Sequence, residues 1–288
     1  MPFDGVLVAV RFALYADLAA LAGLPLFWWS MGRDMATRTE LAALAVGGLI
    51  LSALWLLASA AGMAGTPLLS PDWSIVTILL KDTPVGAVLG VRAAALCLVL
   101  ALLTVGRDRA AHPAILALAA SFAAATLAWS GHAAASEGVA GTLHRLADAL
   151  HVWAASGWFG ALLALLVATF RRPRQAIETG RMLKRFSVFG TIFVGTLILT
   201  GTLNSMMIVG LANLPVLLHS LYGWLLLAKL AIFAVMLLLA AANRWHLTPK
   251  LLAGGPLAHL RLSLLVETML ASVILALVAA IGTLDPLG

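Results

Sequence analysis

Residues 142–153 read TLHRLADALHVW and carry His144, Arg145, Asp148 and His151. At about 100° per residue, His144, Asp148 and His151 fall within roughly 60° of one another on a helix. Two imidazoles and a carboxylate on one stripe can hold a transition metal. Neutral imidazole suits copper, zinc, iron and nickel, whereas calcium and magnesium want oxygen ligands. Asp148 can also orient a histidine by hydrogen bonding, fixing which ring nitrogen faces the metal. The competing reading is a stripe that merely faces water or headgroups. His151 weighs against it, because it is expected about 9–10 Å below the outer end of its helix.

The element that must carry this stripe lies in lipid. The chain is 62% hydrophobic and 10% charged, with a mean hydropathy of +1.05. A soluble domain averages about 25% charged residues. Helical spans of about 20 apolar residues are expected near 6–30, 41–64, 84–105, 113–132, 143–170, 186–210, 222–243 and 261–284. The fold class is therefore all-α: an eight-helix membrane bundle, one integral domain over residues 1–288. Barrel strands would be about ten residues long and alternate in polarity, which these segments do not. Segment 67–82 is too short to span and reads as an interfacial loop with one short helix. MPFDGVLVAV has no basic region ahead of its apolar run, so the first span is expected to be retained. The one cysteine, Cys97, lies inside an apolar run and reads as packing.

Basic residues set the expected orientation. They gather in alternate loops: Arg33 and Arg38; Arg107 and Arg109; Arg171, Arg172, Arg174, Arg181, Lys184 and Arg185; Arg244, Lys250 and Arg261. The positive-inside rule makes these loops cytoplasmic and both termini periplasmic. The net charge of +6 thus follows topology and argues against nucleic acid as a partner.

On this map His132, His144, His151 and His219 share the outer side, and His112, His246 and His259 are solvated on the inner side. Met206 and Met207 end the sixth span on the outer side, and Met63 ends the second there. Thioethers beside imidazoles favour copper as Cu(I) or Cu(II), although each methionine alone reads as core filler. Trp158 continues the stripe inward as packing, and most other tryptophans belong to an aromatic belt. Charges within spans cost at least about 2.5–3.5 kcal/mol unless paired or used. Arg11, Asp17, Arg92, Lys229 and Glu267 stand there. Asp17 and Arg92 share a depth and are expected to pair, as a structural cluster with Arg11 or on a permeation path. Lys229 can snorkel outward. Glu267 has no evident partner and is expected to act as a cytoplasmic-side relay or exit ligand.

Longer motifs carry a resemblance. Arg185-Phe186-Ser187, Thr200-Gly201 with Asn204, Tyr222-Gly223 with Lys229, Asn243-Arg244 with Thr248-Pro249, and Glu267 stand in order over about the C-terminal 100 residues. RFALYADLAALAGLPLF and the block from SGHA to LADALHVWAASGWFGALLAL extend the likeness toward the N-terminus. In these stretches the chain resembles the CopD family of bacterial inner-membrane copper-resistance and copper-uptake proteins, most strongly over about 185–285. The resemblance implies copper passage across the inner membrane by a multi-pass protein that is not an enzyme, served by a separate periplasmic copper-binding protein. Asn204, Lys229 and Glu267 join Asp17 and Arg92 as embedded polar groups of the path. Two other readings stay open. One is a haem-binding membrane redox protein using His132, His151 or His219 as axial ligands. The other is an assembly factor that binds no metal.

Overall fold

The computed structural model describes residues 4–31, 38–104, 112–130, 138–171, 176–210, 217 and 219–285. Among these, every regular element is helical. In chain order they are α1 (Gly5–Met31), α2 (Arg38–Ala64), α3 (Trp73–Lys81), α4 (Pro84–Thr104), α5 (His112–Ala125) with a 3₁₀ turn at Thr126–Trp129, α6 (Gly138–Arg171) and α7 (Ala176–Val209). Then follow α8 (Leu221–Leu252), which contains a π-helical turn at Asn243–Leu247, and α9 (Ala258–Ile281).

Seven of these helices, α1, α2, α4, α6, α7, α8 and α9, are long and apolar enough to cross a membrane. The segment expected as the fourth span is shorter, with 14 α-helical residues and a 3₁₀ turn of 4. That amounts to about 29 Å of helix, just under the roughly 30 Å hydrocarbon core. By contrast α6 and α7 have 34 residues each. α6 begins at Gly138, before the expected span, and His151 lies about 20 Å along the helix from there, deeper than the expected 9–10 Å.

Segment 67–82 does hold a short helix. Asp72 caps α3, accepting from the Ser74 backbone N–H at 2.9 Å and the Ser74 hydroxyl at 2.6 Å. These bonds favour the charged carboxylate and hold Asp72 below the usual aspartate range. Val76 and Leu79 then pack on Leu56 and Ala60 of α2.

α1 is the central helix. One face, Leu14, Leu18, Leu21 and Ala22, packs with α2, α4 and α5; the other, Ala19, Ala20, Leu26, Phe27 and Trp28, packs with α6, α7 and α9. It crosses α6 backbone to backbone. A Cβ on Gly23 would fall 1.9 Å from the Ser156 carbonyl oxygen, and one on Gly160 would fall 2.1 Å from the Gly23 carbonyl carbon. Apolar side chains gain little by leaving lipid for one another, so such close approach is how membrane helices earn packing energy.

Arginines from the basic segments close helix C-termini at one end of the bundle. Arg185 donates to the Met31 carbonyl at 3.1 Å, Arg38 to that of Leu103 at 2.7 Å and Arg261 to that of Thr169 at 2.6 Å. Each satisfies an orphan carbonyl and meets the negative end of a helix dipole.

Candidate functional site

The stripe of α6 meets a matching motif on α7. Asp148 and His151 are one helical turn apart, as are Thr200 and Asn204, so each pair shares a face. Asn204 donates from Nδ2 to Asp148 Oδ1 at 2.9 Å. His151 Nδ1 lies 2.9 Å from Thr200 Oγ1, and that hydroxyl lies 2.6 Å from the Thr196 carbonyl oxygen. The hydroxyl has one proton, and a carbonyl oxygen can only accept it. Thr200 therefore donates to Thr196 and accepts from His151, so Nδ1 carries the imidazole proton and Nε2 keeps its lone pair. Gly201 leaves room for the ring: a Cβ there would stand 3.3 Å from His151 Cε1. Thr200, Gly201 and Asn204 thus have one physical task between them.

Two adjoining cavities meet at this point. The polar one, about 210 Å³, takes Arg11 and Tyr15 from α1, His144, Asp148 and His151 from α6, Asn204 from α7, and Tyr222 and Lys229 from α8. The apolar one, about 410 Å³, lies between α6, α7, α8 and α9 and is lined by Trp158, Phe159, Phe233 and Met206. His151 and Lys229 line both, so they stand where the two cavities join. α7 meets α8 chiefly at the last turn of α8, which leaves the gap the apolar cavity fills.

The residues singled out by sequence separate here. His144 is buried on the stripe beside Asp148. His132 lies outside the described residues. His219 is exposed and lines neither cavity, and neither does the half-buried Met207. Met63, at the end of α2, is 67% exposed. Among the described residues no group of three or more His, Cys, Asp or Glu is placed to hold a metal ion. The ligands brought together are one imidazole with a free Nε2 lone pair, a carboxylate on the same stripe, and a thioether in the adjoining cavity.

The expected Asp17–Arg92 pair is not formed. Arg92 is fully buried and donates from Nε to Thr126 Oγ1 at 2.7 Å and from Nη2 to Ser130 Oγ at 3.2 Å, with its guanidinium 5.9 Å from the Trp55 ring centre. It thereby ties α4 to the end of α5. Asp17 turns instead toward Gly47 and Gly48 of α2, and its Oδ2 has no hydrogen-bond partner. Equal depth does not fix azimuth, and the two side chains leave their helices in different directions. Glu267, expected to lack a partner, has two. Asn243 Nδ2 and Ser263 Oγ both donate to its Oε1, the latter at 3.3 Å. The π turn that presents Asn243 is closed by Thr248, whose hydroxyl donates to the Asn243 carbonyl at 2.8 Å. Sequence reading missed the tasks of Thr200 and Gly201, although the T-G-x-x-N spacing opposite D-x-x-H was the available signal.

Fold and site together define a multi-pass helical membrane protein with a histidine–carboxylate site between its helices. The chain belongs to the copper resistance protein D family. The family described as "Copper resistance protein D-like, N-terminal domain" matches residues 1–142, and "Copper resistance protein D" matches residues 180–281. Copper resistance protein D of Pseudomonas syringae pv. tomato is 36% identical over 308 residues, covering 98% of this chain and 97% of that one. Inner membrane protein YebZ of Escherichia coli (strain K12) is 32% identical over 166 residues, 56% of this chain and 55% of that one. Copper transport protein CutJ of Bacillus subtilis (strain 168) is 35% identical over 118 residues, 40% of this chain and 21% of that one. No solved structure shows significant similarity to the chain.

Proposed function

We propose that this protein carries copper across the bacterial inner membrane, taking the ion on the periplasmic side at Asp148 and His151 and passing it inward. One observation carries the reading most strongly. Thr200 holds the proton of His151 on Nδ1, leaving a lone pair on Nε2 in a residue that lines both cavities. That is how metal-binding imidazoles are prepared, with one nitrogen fixed by hydrogen bonding and the other offered to the metal. Asn204 holds Asp148 in the same way. His144 stands beside them, Met206 offers a thioether, and His132, His219 and Met207 serve the approach. The arginine-closed end faces the cytoplasm, as the positive-inside rule asks. With α5 counted as a crossing, eight helices place both termini outside. Lys229 stands at the entrance to the inward path and Glu267 on the cytoplasmic side. Arg92 and Asp17 supply fixed charge along the way. Copper arrives from a separate periplasmic copper-binding protein, and the step is transfer rather than catalysis.

A second reading draws on the apolar cavity. Its size and the rings of Trp158, Phe159 and Phe233 beneath His151 also suit a flat cofactor such as haem, with His151 as an axial ligand. Metal analysis and an absorption spectrum of the purified protein separate the two. Stoichiometric copper in a protein without a Soret band supports transport. A strong Soret band with iron supports the second reading and overturns the first.

A further inference from the structure

Copper has two common charge states, and the groups where the two cavities meet treat them differently. Among the described residues, Arg11, Asp148 and Lys229 are the charged groups lining the polar cavity, and Lys229 is the charged group lining the apolar one. Lys229 stands about 12 Å along α8 from Leu221, inside the span. Its charge acts on Asp148 and on the His151 ring, so cation, carboxylate and imidazole form one electrostatic unit. Coulomb energy scales with charge, so a carboxylate alone draws a divalent ion twice as strongly as a monovalent one. Lys229 offsets that advantage, and Arg11 on the polar side offsets it further. Buried charges are also screened less by salt than exposed ones, so the effect persists in physiological solution.

The donors point the same way. His151 offers Nε2, and the Met206 thioether lines the apolar cavity beside it. Thioethers select Cu(I), whereas Cu(II) prefers a square-planar or tetragonal set of nitrogen and oxygen donors. Among the described residues no three His, Cys, Asp or Glu come together to supply such a set. We propose that Lys229 sets the charge selectivity of the site: it is the resident counter-cation of Asp148, so the protein accepts copper as Cu(I) and resists Cu(II). Lys229 acts through its charge and is not a ligand. The inference rests on the copper reading of His151 given above.

The test uses the full-length protein in nanodiscs. Cu(I) is titrated without oxygen, and Cu(II) in air, each against a competing chelator. The parent is expected to bind Cu(I) at least a hundredfold more tightly than Cu(II). Lys229→Gln is expected to strengthen Cu(II) binding at least tenfold more than Cu(I) binding, and Lys229→Arg, which keeps the charge, to hold the parent's preference. A merely structural role for Lys229 would shift both ions alike. Melting checks folding, and should Lys229→Gln not fold, Lys229→Met carries the comparison. Tighter binding of Cu(II) than of Cu(I) by the parent, or an equal shift for both ions in the folded variant, overturns the inference while leaving the copper site in place. Failure of the copper reading shows differently: copper binding that His151→Ala leaves unchanged overturns the site, and this inference with it.

Discussion

Thr200→Val removes one hydroxyl and almost no volume, which isolates the role given to it. Thr200 accepts from His151 Nδ1 at 2.9 Å while donating to the Thr196 carbonyl at 2.6 Å. Valine leaves the Nδ1–H without an acceptor, and a buried donor left unsatisfied costs about 1–3 kcal/mol. The ring then has reason to rotate or to change tautomer, either of which withdraws the Nε2 lone pair. Loss of a hydrogen bond behind a metal ligand typically lowers metal affinity about 10–100-fold, or roughly 1.4–2.8 kcal/mol. Copper titration against a competing chelator, on protein whose melting confirms that it folds, is expected to show a fall in that range. Thr200→Ser, which keeps the hydroxyl, is expected to restore most of it. If folded Thr200→Val binds copper as the parent does, the argument from hydrogen bonding to ligand readiness is wrong.

Other consequences follow from packing and charge. Gly160→Val drives a side chain into the backbone of α1, so its cost lies at or above the top of the usual overpacking range of about 1–3 kcal/mol. Gly195→Ala, where a Cβ meets nothing within 4 Å, is expected to be neutral or slightly stabilising in the same melting assay. Asn243→Leu strips a donor from the buried Glu267 and is expected to cost about 1.5–3 kcal/mol. Adding Glu267→Leu in that background recovers stability, and simple additivity in the cycle would argue against coupling. A reporter active only in the periplasm, fused after Gly288, is expected to be active; activity of a cytoplasm-only reporter there would reverse the assigned sides of the bundle.

The sequence shows some of these features plainly and conceals others, for physical reasons. Long apolar runs reveal lipid-spanning helices because hydrogen bonding and lipid leave the backbone few alternatives. Alternating basic loops mark one end, and Arg38, Arg185 and Arg261 do gather there, each on a helix C-terminus. The Asp148–His151 stripe is legible because helical periodicity alone places both residues on one face. What they face is not legible, since Thr200 and Gly201 are unremarkable residues in an apolar run until α7 is docked. The pairing of Asp17 with Arg92 failed for the same reason: rise per residue gives depth, while partner choice depends on helix rotation. His219 shares a side with His151 yet stays exposed, because a common side is a much weaker condition than a common cavity. The crossing of Gly23 over Gly160 is hidden among 25 glycines, most of which have no such task. The fourth span falls short because its described helix holds only 14 α-helical residues and a 3₁₀ turn of 4, and in that turn Thr126 receives Arg92.

The central claim is that His151 offers copper a ready lone pair at the meeting of two cavities. Copper titration of folded His151→Ala beside the parent tests it most directly, with His246→Ala as the comparison from the other end of the bundle. The account predicts at least a tenfold loss of affinity for His151→Ala, or about 1.4 kcal/mol, and no change for His246→Ala. Parent-like affinity and stoichiometry in His151→Ala would place the copper site elsewhere in the molecule.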